Sequence, residues 1–151
     1  MNYKYKRQKG FTLVELLVVM AILGVLVTVT LGAFRSSQAR GRDAQRKNDL
    51  KQISNALELY YSDYGKYPDT LPWGAEFTDL KTVYFKVVPV DPIESLDYFY
   101  RLPDTPVNQK FQLFAALENT EDPDRIITAY SCGAGTTCNF AITSPNTTPS
   151  E

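Results

Sequence analysis

Apolar side chains run almost without interruption through residues 11–34, where Glu15 is the only charged residue. A helix rises ~1.5 Å per residue, so a run of 24 residues would extend about 36 Å. The hydrocarbon core of a bilayer is about 30 Å thick. The run therefore predicts a helix that spans a membrane.

The chain contains no proline before Pro68, and beyond the apolar run its apolar residues take up a helical spacing. From Leu50 onward they recur every three or four positions, which places them on one face of a helix. They are Leu50, Ile53, Leu57, Tyr60, Tyr61 and Tyr64. Gly65 is a typical helix stop. We predict one long helix, made of the segment 11–34 and a continuation over 35–64.

Short apolar and aromatic runs separated by turn residues fill residues 65–142, which we predict to be a globular head. The predicted strands lie within Val83–Val90, Asp97–Leu102, Lys110–Leu117, Arg125–Tyr130 and Asn139–Thr143. Successive apolar residues in the third run predict a strand buried on both faces. The predicted fold is α+β: a long N-terminal helix, membrane-spanning in its first half, whose second half packs on a small antiparallel sheet.

The last segment, residues 143–151, is rich in Ser, Thr, Asn and Pro. Such a composition offers little apolar surface to bury, so we predict a flexible tail. Asn146 begins a formal glycan sequon, Asn146-Thr147-Thr148, which is a weak signal by itself.

Histidine is absent from the whole sequence. This excludes a Ser/His/Asp triad, a Cys/His dyad, a His-liganded metal site and a histidine pH switch. The carboxylates form no paired acid and base constellation that spacing alone can identify. We therefore predict that the protein is not an enzyme.

Three other interpretations of the apolar run compete with an assembly helix. A cleaved secretory signal normally has a shorter apolar core followed by small residues, and Arg35 intervenes before the small residues here. A buried core helix of a soluble protein would need apolar surroundings that the rest of the chain lacks. A plain uncleaved membrane anchor stays open.

Glu15 is unusual in such a run, because a carboxylate at mid-bilayer costs roughly 2.5–3.5 kcal/mol on insertion scales. It therefore needs a partner or a task. One explanation places it near the membrane surface in the first helical turn, where a negative charge suits the helix dipole.

A more specific explanation comes from the residues that surround Glu15. A basic leader ends in Gly10, and Phe11, Thr12, Leu13 and an apolar residue follow before Glu15. This order closely resembles the processing signature of the type IV pilin superfamily. The resemblance implies that a peptidase removes residues 1–10, that Phe11 becomes an N-methylated terminus, and that Glu15 pairs with the terminal amine of a neighbouring subunit during assembly.

The same resemblance implies a function and a location. The chain would be the structural subunit of a type IV pilus-like filament, polymerised through its N-terminal helix. Its partners would be further copies of itself, a prepilin peptidase and N-methyltransferase, and an inner-membrane assembly platform. It would be a single-pass protein of the cytoplasmic membrane before assembly and part of a cell-surface or periplasmic filament afterwards. A monomeric membrane-anchored binding module is a further alternative.

The body also resembles the major pseudopilin subgroup of type II secretion, which gives a second candidate function. The resemblance rests on Tyr67-Pro68, on residues 88–92 and 98–100, and on residues 111–119. In that subgroup a loop near the sheet can bind calcium. The candidate oxygen ligands here are Glu118, Asn119, Glu121, Asp122 and Asp124. Their spacing is not that of an EF-hand loop, so a solvated acidic turn is the alternative, and we expect no other cofactor.

Two cysteines, Cys132 and Cys138, enclose five residues, two of which are glycines. Two thiols without histidine make a poor zinc site, and five intervening residues do not form a CxxC redox motif. We predict a disulfide that closes a hairpin, which requires an oxidising location.

Charge is divided unevenly along a chain whose formal net charge is −1. Residues 1–51 hold ten basic and three acidic side chains, whereas residues 52–151 hold six basic and fourteen acidic ones. No aromatic residue interleaves the basic cluster between Arg35 and Lys51, so we expect no nucleic-acid partner. Because opposite fields steer association, we predict that this cluster meets the acidic body of an adjacent subunit.

Overall fold

The computed structural model describes residues 10–103 and 107–150, with the side chains of residues 29–33 left out. Residues 1–9 of the predicted leader lie outside the described residues, and its last residue, Gly10, lies within them. The chain divides into two compact units, one ending at Gln38 and the other beginning at Ala39. We call them the N-terminal unit and the body unit.

One helix, α1, runs from Leu13 to Tyr64 and has 52 residues. It confirms the prediction of a single long helix and is continuous at Gly24 and Gly32. Gly65 ends it with a φ of 66°, and the Gly65 amide donates to the carbonyl of Tyr61 at 2.7 Å. A left-handed glycine that donates back into the last turn is a frequent helix ending.

Within the residues that the structure describes, no helix is both long and apolar enough to cross a membrane. The predicted membrane span over residues 11–34 is therefore not confirmed.

Two antiparallel sheets belong to the body unit. Strands β1 (Phe77–Thr78) and β2 (Val83–Phe85) form a hairpin. Strands β3 (Phe99–Arg101), β4 (Gln112–Ala115) and β5 (Phe140–Thr143) form the second sheet, with β4 in the centre. Four of the five predicted runs thus contain a strand, and the α+β fold is confirmed. Strand β1 was not predicted, because two residues are too short to show an alternating pattern.

The predicted strand over Arg125–Tyr130 is wrong. This segment makes two backbone hydrogen bonds to the chain before β5, from the Ile126 amide to Asn139 at 2.7 Å and from the Cys138 amide to Tyr130 at 2.8 Å. Between them the Thr128 hydroxyl donates to the carbonyl of Cys138 at 2.6 Å. A side-chain hydroxyl here donates where a backbone amide would donate in a regular sheet, so the two segments do not pair as strands.

The core confirms the predicted helix face. Leu50, Ile53 and Leu57 of α1 are buried in one cluster with Phe111 and Leu113. On the opposite side of β4, Phe114 packs with the two cysteines in a second cluster. All four residues of β4 are buried, as predicted for a strand covered on both faces.

The predicted tail makes hydrogen bonds to the body unit, and its flexibility stays a prediction. Ser144 is buried, and its hydroxyl accepts from the Phe111 amide at 3.1 Å. The Asn146 amide group donates to Gln109, and the Gln112 amide group donates to the carbonyl of Thr148 at 2.6 Å. A polar composition did not prevent anchoring, because the segment is fixed by hydrogen bonds rather than by apolar burial.

The β1–β2 hairpin turns through Leu80, whose φ is 76°. This left-handed conformation is unusual for a bulky residue and costs about 1–3 kcal/mol. The turn is nevertheless held firmly: one Asp79 carboxylate oxygen accepts from the amides of Lys81 and Thr82 at 2.9 and 2.6 Å. The other oxygen accepts from the hydroxyl of Tyr64 at 2.5 Å. These contacts lower the pKa of Asp79, chiefly through Tyr64.

Candidate processing and assembly site

The predicted cleavage point lies in an exposed, non-helical segment before α1. Phe11 is 90% exposed, and an added Cβ on Gly10 would meet no heavy atom within 4 Å. A peptidase must take hold of an extended backbone on both sides of the bond that it cuts. The bond between Gly10 and Phe11 is exposed in the part of the chain that the structure describes.

Thr12 and Glu15 form a capping box at the start of α1. The amide and the hydroxyl of Thr12 both donate to Oε2 of Glu15, at 2.9 and 2.8 Å. In return the Glu15 amide donates to the Thr12 hydroxyl at 3.2 Å. Reciprocal bonds of this kind satisfy two donors at a helix N-terminus. They explain why the helix begins at Leu13 and not at Phe11.

The described large apolar side chains of the N-terminal unit are exposed to solvent. Isolated exposed apolar residues are normal on protein surfaces, but a contiguous apolar surface marks a place where another apolar surface binds. The exposed residues are Phe11, Leu13, Val14, Leu16, Leu17, Val18, Val19, Met20, Ile22, Leu23, Val25, Leu26, Val27 and Phe34, each between 48% and 90% exposed. Glu15 is the only charged residue between Phe11 and Val27, so no other charge interrupts this surface there.

A buried arginine ties the body unit together. Arg46 is fully buried, and its guanidinium donates to both carboxylate oxygens of Asp91, at 2.7 and 2.9 Å. The same group also donates to Asp43 at 2.9 Å and to Glu118 at 2.8 Å. Asp43 in turn accepts from the amides of Glu118 and Asn119. The network therefore connects the helix to two loops far away in sequence.

Two further helix cations bind the loop of residues 118–124. Arg42 makes a bidentate pair with Glu118, at 2.7 and 2.6 Å. The hydrogen bonds from Arg42, aided by Arg46, lower the pKa of Glu118 to about 2. Lys47 donates to Asp122 and Asp124, each at 2.7 Å.

These pairs correct the prediction that the basic cluster between Arg35 and Lys51 meets the acidic body of an adjacent subunit. Arg42, Arg46 and Lys47 bind the acidic residues of their own chain, not those of an adjacent subunit. Three other cations of the cluster, Arg35, Arg40 and Lys51, remain exposed. Sequence separation concealed this outcome, because the helix cations and their partners in the two loops are 45 to 77 positions apart.

The five calcium candidates lie in one loop, but helix cations contact most of its carboxylates. Glu118, Asp122 and Asp124 have basic partners, and Asn119 and Glu121 complete the loop. In the part of the chain that the structure describes, no group of three or more His, Cys, Asp or Glu residues could hold a metal ion. Lys47 supplies the positive charge that a bound cation would otherwise provide.

Cys132 and Cys138 form the predicted disulfide, with their Cα atoms 5.1 Å apart. Both residues are fully buried. The loop that they close turns at Gly133, whose φ is 86° and whose added Cβ would lie 2.7 Å from the carbonyl oxygen of Ser95. A glycine is required there, because any side chain would collide with the backbone.

Asp49, the third buried acid of the body unit beside Asp43 and Asp91, has neutral hydrogen-bond partners. The hydroxyl of Tyr98 donates to Asp49 at 2.8 Å. Burial raises the pKa of Asp49, and this hydrogen bond opposes the shift. Burial, with the hydrogen bond to Asp49, also raises the pKa of Tyr98.

The sequence singles out Gly10, Phe11 and Glu15 as candidates, but two features of the site were not predicted. The capping box was readable, because a Thr followed three residues later by Glu before an apolar run is its signature. The role of Arg46 had no local signal, since its partner Asp91 comes from a distant loop.

Known proteins are similar to this chain both in a short N-terminal motif and over a longer part of its length. Residues 5–31 match the model for the prokaryotic N-terminal methylation motif. Type II secretion system core protein G of Pseudomonas aeruginosa is 33% identical over 112 residues, which cover 66% of this chain and 78% of that protein.

Pilins are also similar, over shorter segments. The type IV major pilin protein PilA of Myxococcus xanthus is 36% identical over 63 residues, covering 42% of this chain and 29% of that protein. A fimbrial protein of Neisseria meningitidis is 36% identical over 85 residues, covering 55% of this chain and 50% of that protein. The chain thus spans half or less of these two pilins. No solved structure matches it significantly. Core protein G is matched over more than two thirds of its length, and the methylation motif lies at the N-terminal end of this chain. The chain therefore belongs to the type IV pilin superfamily.

Proposed function

We propose that the protein is the structural subunit of a type IV pilus-like filament and that its N-terminal helix forms the core of that filament. The observation that carries this proposal is the exposed apolar surface of the N-terminal unit from Phe11 to Val27, with Phe34 exposed beyond it. A surface of that size needs apolar partners in water. Helices from further copies of the chain would supply them.

Processing comes before assembly in this proposal. A prepilin peptidase cuts between Gly10 and Phe11, and the new terminal amine of Phe11 is methylated. The precursor is held in the cytoplasmic membrane, and a membrane assembly platform adds it to a periplasmic or cell-surface filament. The protein performs no chemistry itself, since Gly10 and Phe11 are the substrate of another enzyme.

Glu15 would then register each incoming subunit. Its carboxylate is exposed, and its hydrogen-bond partners are the amide and hydroxyl of Thr12. The negative charge is therefore not neutralised by a cation among the described residues. A positively charged amine on a neighbouring Phe11 would neutralise it inside an apolar bundle, where an unpaired charge is costly.

Mass spectrometry of the protein from cells that make the filament tests the processing step. We expect an N-terminal peptide that begins with Phe11 and carries one additional methyl group. The control is a Gly10→Ala variant, which should accumulate with the leader attached. A wild-type protein that begins at Met1 and forms no filament in electron micrographs would contradict the proposal and favour the monomeric membrane-anchored module.

The major pseudopilin of a type II secretion system is the second candidate. It is favoured by the match to core protein G, which extends beyond the helix into the body. The two candidates share the same processing and the same subunit architecture. Loss of an exported enzyme from the medium on deletion of the gene, without loss of surface pili, would identify the secretion role.

A further inference from the structure

The ammonium group of Lys47 bridges two carboxylates of the loop of residues 118–124, which we call the acidic loop. It donates to Oδ1 of Asp122 and to Oδ2 of Asp124, each at 2.7 Å. The side chains of Lys47 and Asp122 are only 27% and 14% exposed, so water screens this pair less than it screens a fully exposed one. A cation of the chain itself therefore lies at the point where the two carboxylates of the loop converge.

The position of this ammonium group is fixed by the fold. Lys47 belongs to α1, and its nitrogen lies 5.5 Å from the centre of the Phe140 ring, which belongs to β5. An ammonium group over an aromatic face is attracted to the ring. A free ion would stabilise the loop only as far as its concentration exceeds its dissociation constant. A cation that is covalently attached to the helix has no such dependence.

The space beside the acidic loop does not favour a divalent ion. A cavity of about 410 Å³ opens there, and two of its lining residues are the cations Arg40 and Lys47. Among its acidic lining residues, Asp43 and Asp122 already have basic partners. Glu121 has none in the part of the chain that the structure describes. A metal ion that entered the cavity would therefore meet two positive charges and one unpaired carboxylate.

We propose that Lys47 is the resident cation of the acidic loop: its ammonium group holds Asp122 and Asp124 together in place of a calcium ion, and the body unit needs no divalent metal. The lysine and the expected calcium ion exclude each other, because both would occupy the same point between the same carboxylates. The loop would thus keep one conformation at any calcium concentration. This role of Lys47 concerns the fold of the body unit and does not depend on whether the chain forms filaments.

Calcium addition and chelation test whether the loop uses a metal. The full-length chain is purified in detergent, and its melting temperature, Tm, is followed by the fluorescence of Trp73, the one tryptophan of the sequence. We expect the same Tm in excess calcium chloride and in excess EDTA, and no heat of binding in a calorimetric titration with calcium chloride. A Tm that falls in EDTA, or a saturable heat of calcium binding, would overturn the proposal.

Removal of the charge tests Lys47 itself. Lys47→Met keeps most of the aliphatic stem but leaves Asp122 and Asp124 to repel each other, so we expect Tm to fall by at least about 3 °C. Lys47→Arg keeps a cation and should lose much less. The matched control is Arg40→Met, because Arg40 lines the same cavity, is exposed and makes no ion pair within the described residues. A Lys47→Met chain as stable as this control would show that the loop needs no resident cation.

A second substitution separates the charge of Lys47 from the packing of its stem on Phe140. Asp122→Asn removes one carboxylate but keeps Oδ1, which accepts from the Asp124 amide at 3.0 Å. In the wild-type chain it should lower Tm, because Lys47 loses an ionic partner. In the Lys47→Met chain this loss should disappear or become a gain, because one of two mutually repelling carboxylates is removed. Losses of equal size in both chains would mean that the two residues act independently, and would contradict the proposal.

Discussion

The two halves of α1 use their side chains in opposite ways. In the N-terminal unit, the helix exposes its apolar residues and its one carboxylate has only neutral partners. In the body unit, the same helix buries its apolar face and pairs Arg42, Arg46 and Lys47 with loops of its own chain. The first half of the helix therefore leaves apolar surface for a partner to cover, whereas the second half is packed and paired within its own chain.

This contrast separates the tasks of folding and assembly along one helix. Cations that pair internally contribute to the stability of the body and are not available to neighbours. Apolar side chains that stay exposed contribute nothing to the stability of the monomer until another surface covers them. Variants in the two halves should therefore change different quantities: unfolding free energy in the body, and filament yield in the N-terminal unit.

The largest loss of stability is expected from Arg46→Met. This change leaves Asp43, Asp91 and Glu118 without their shared buried partner, and breaking a buried ion pair from one side costs about 3–5 kcal/mol. Chemical denaturation of the body, followed by the fluorescence of Trp73, measures the free energy of unfolding. The matched control is Arg40→Met, because Arg40 lies on the same helix, is exposed and makes no ion pair within the described residues. An Arg46→Met body as stable as the control would show that the network is dispensable.

Variants of Glu15 and Thr12 separate the effect of helix capping from the effect of the negative charge in the N-terminal unit. Glu15→Gln keeps an oxygen acceptor for the capping box but removes the negative charge, whereas Thr12→Ala removes the cap and keeps the charge. If Glu15 neutralises a neighbouring amine, filament yield should fall at least tenfold in Glu15→Gln and Glu15→Ala alike. Thr12→Ala should reduce yield much less, since a cap contributes about 1 kcal/mol.

The measurement is the amount of subunit in sheared filaments, relative to the amount of processed subunit in the cell. Normal yield from Glu15→Gln would remove the charge-pairing role and leave Glu15 as a capping residue. Failure of all three variants to be processed would instead place the defect in the peptidase step.

Local patterns predicted the elements of this protein better than the contacts between them. The helix stop at Gly65, the buried face from Leu50 to Leu57 and the double burial of β4 follow from periodicity and turn chemistry, which act over a few residues. The pairing of Arg46 with Asp91 joins residues 45 positions apart, so no local pattern contains it. The tail escaped prediction for the same reason: its hydrogen bonds reach back to β4 and the residues before it.

The smallest effect is expected from a lower pH, which should reduce the unfolding free energy of the body unit only. The pKa of Glu118 falls from 4.5 to about 2 on folding, because Arg42 and Arg46 stabilise its carboxylate. A carboxyl group whose pKa is depressed in the folded state contributes stability above the unfolded pKa and loses it as the pH falls through the folded pKa. Unfolding free energy should therefore decrease between about pH 4.5 and about pH 2, and less steeply in Glu118→Gln. Arg42→Gln should flatten the slope in the same direction by a smaller amount, because Arg46 still contacts Glu118 at 2.8 Å. A slope unchanged in Glu118→Gln would mean that the helix cations do not act on this carboxylate in solution.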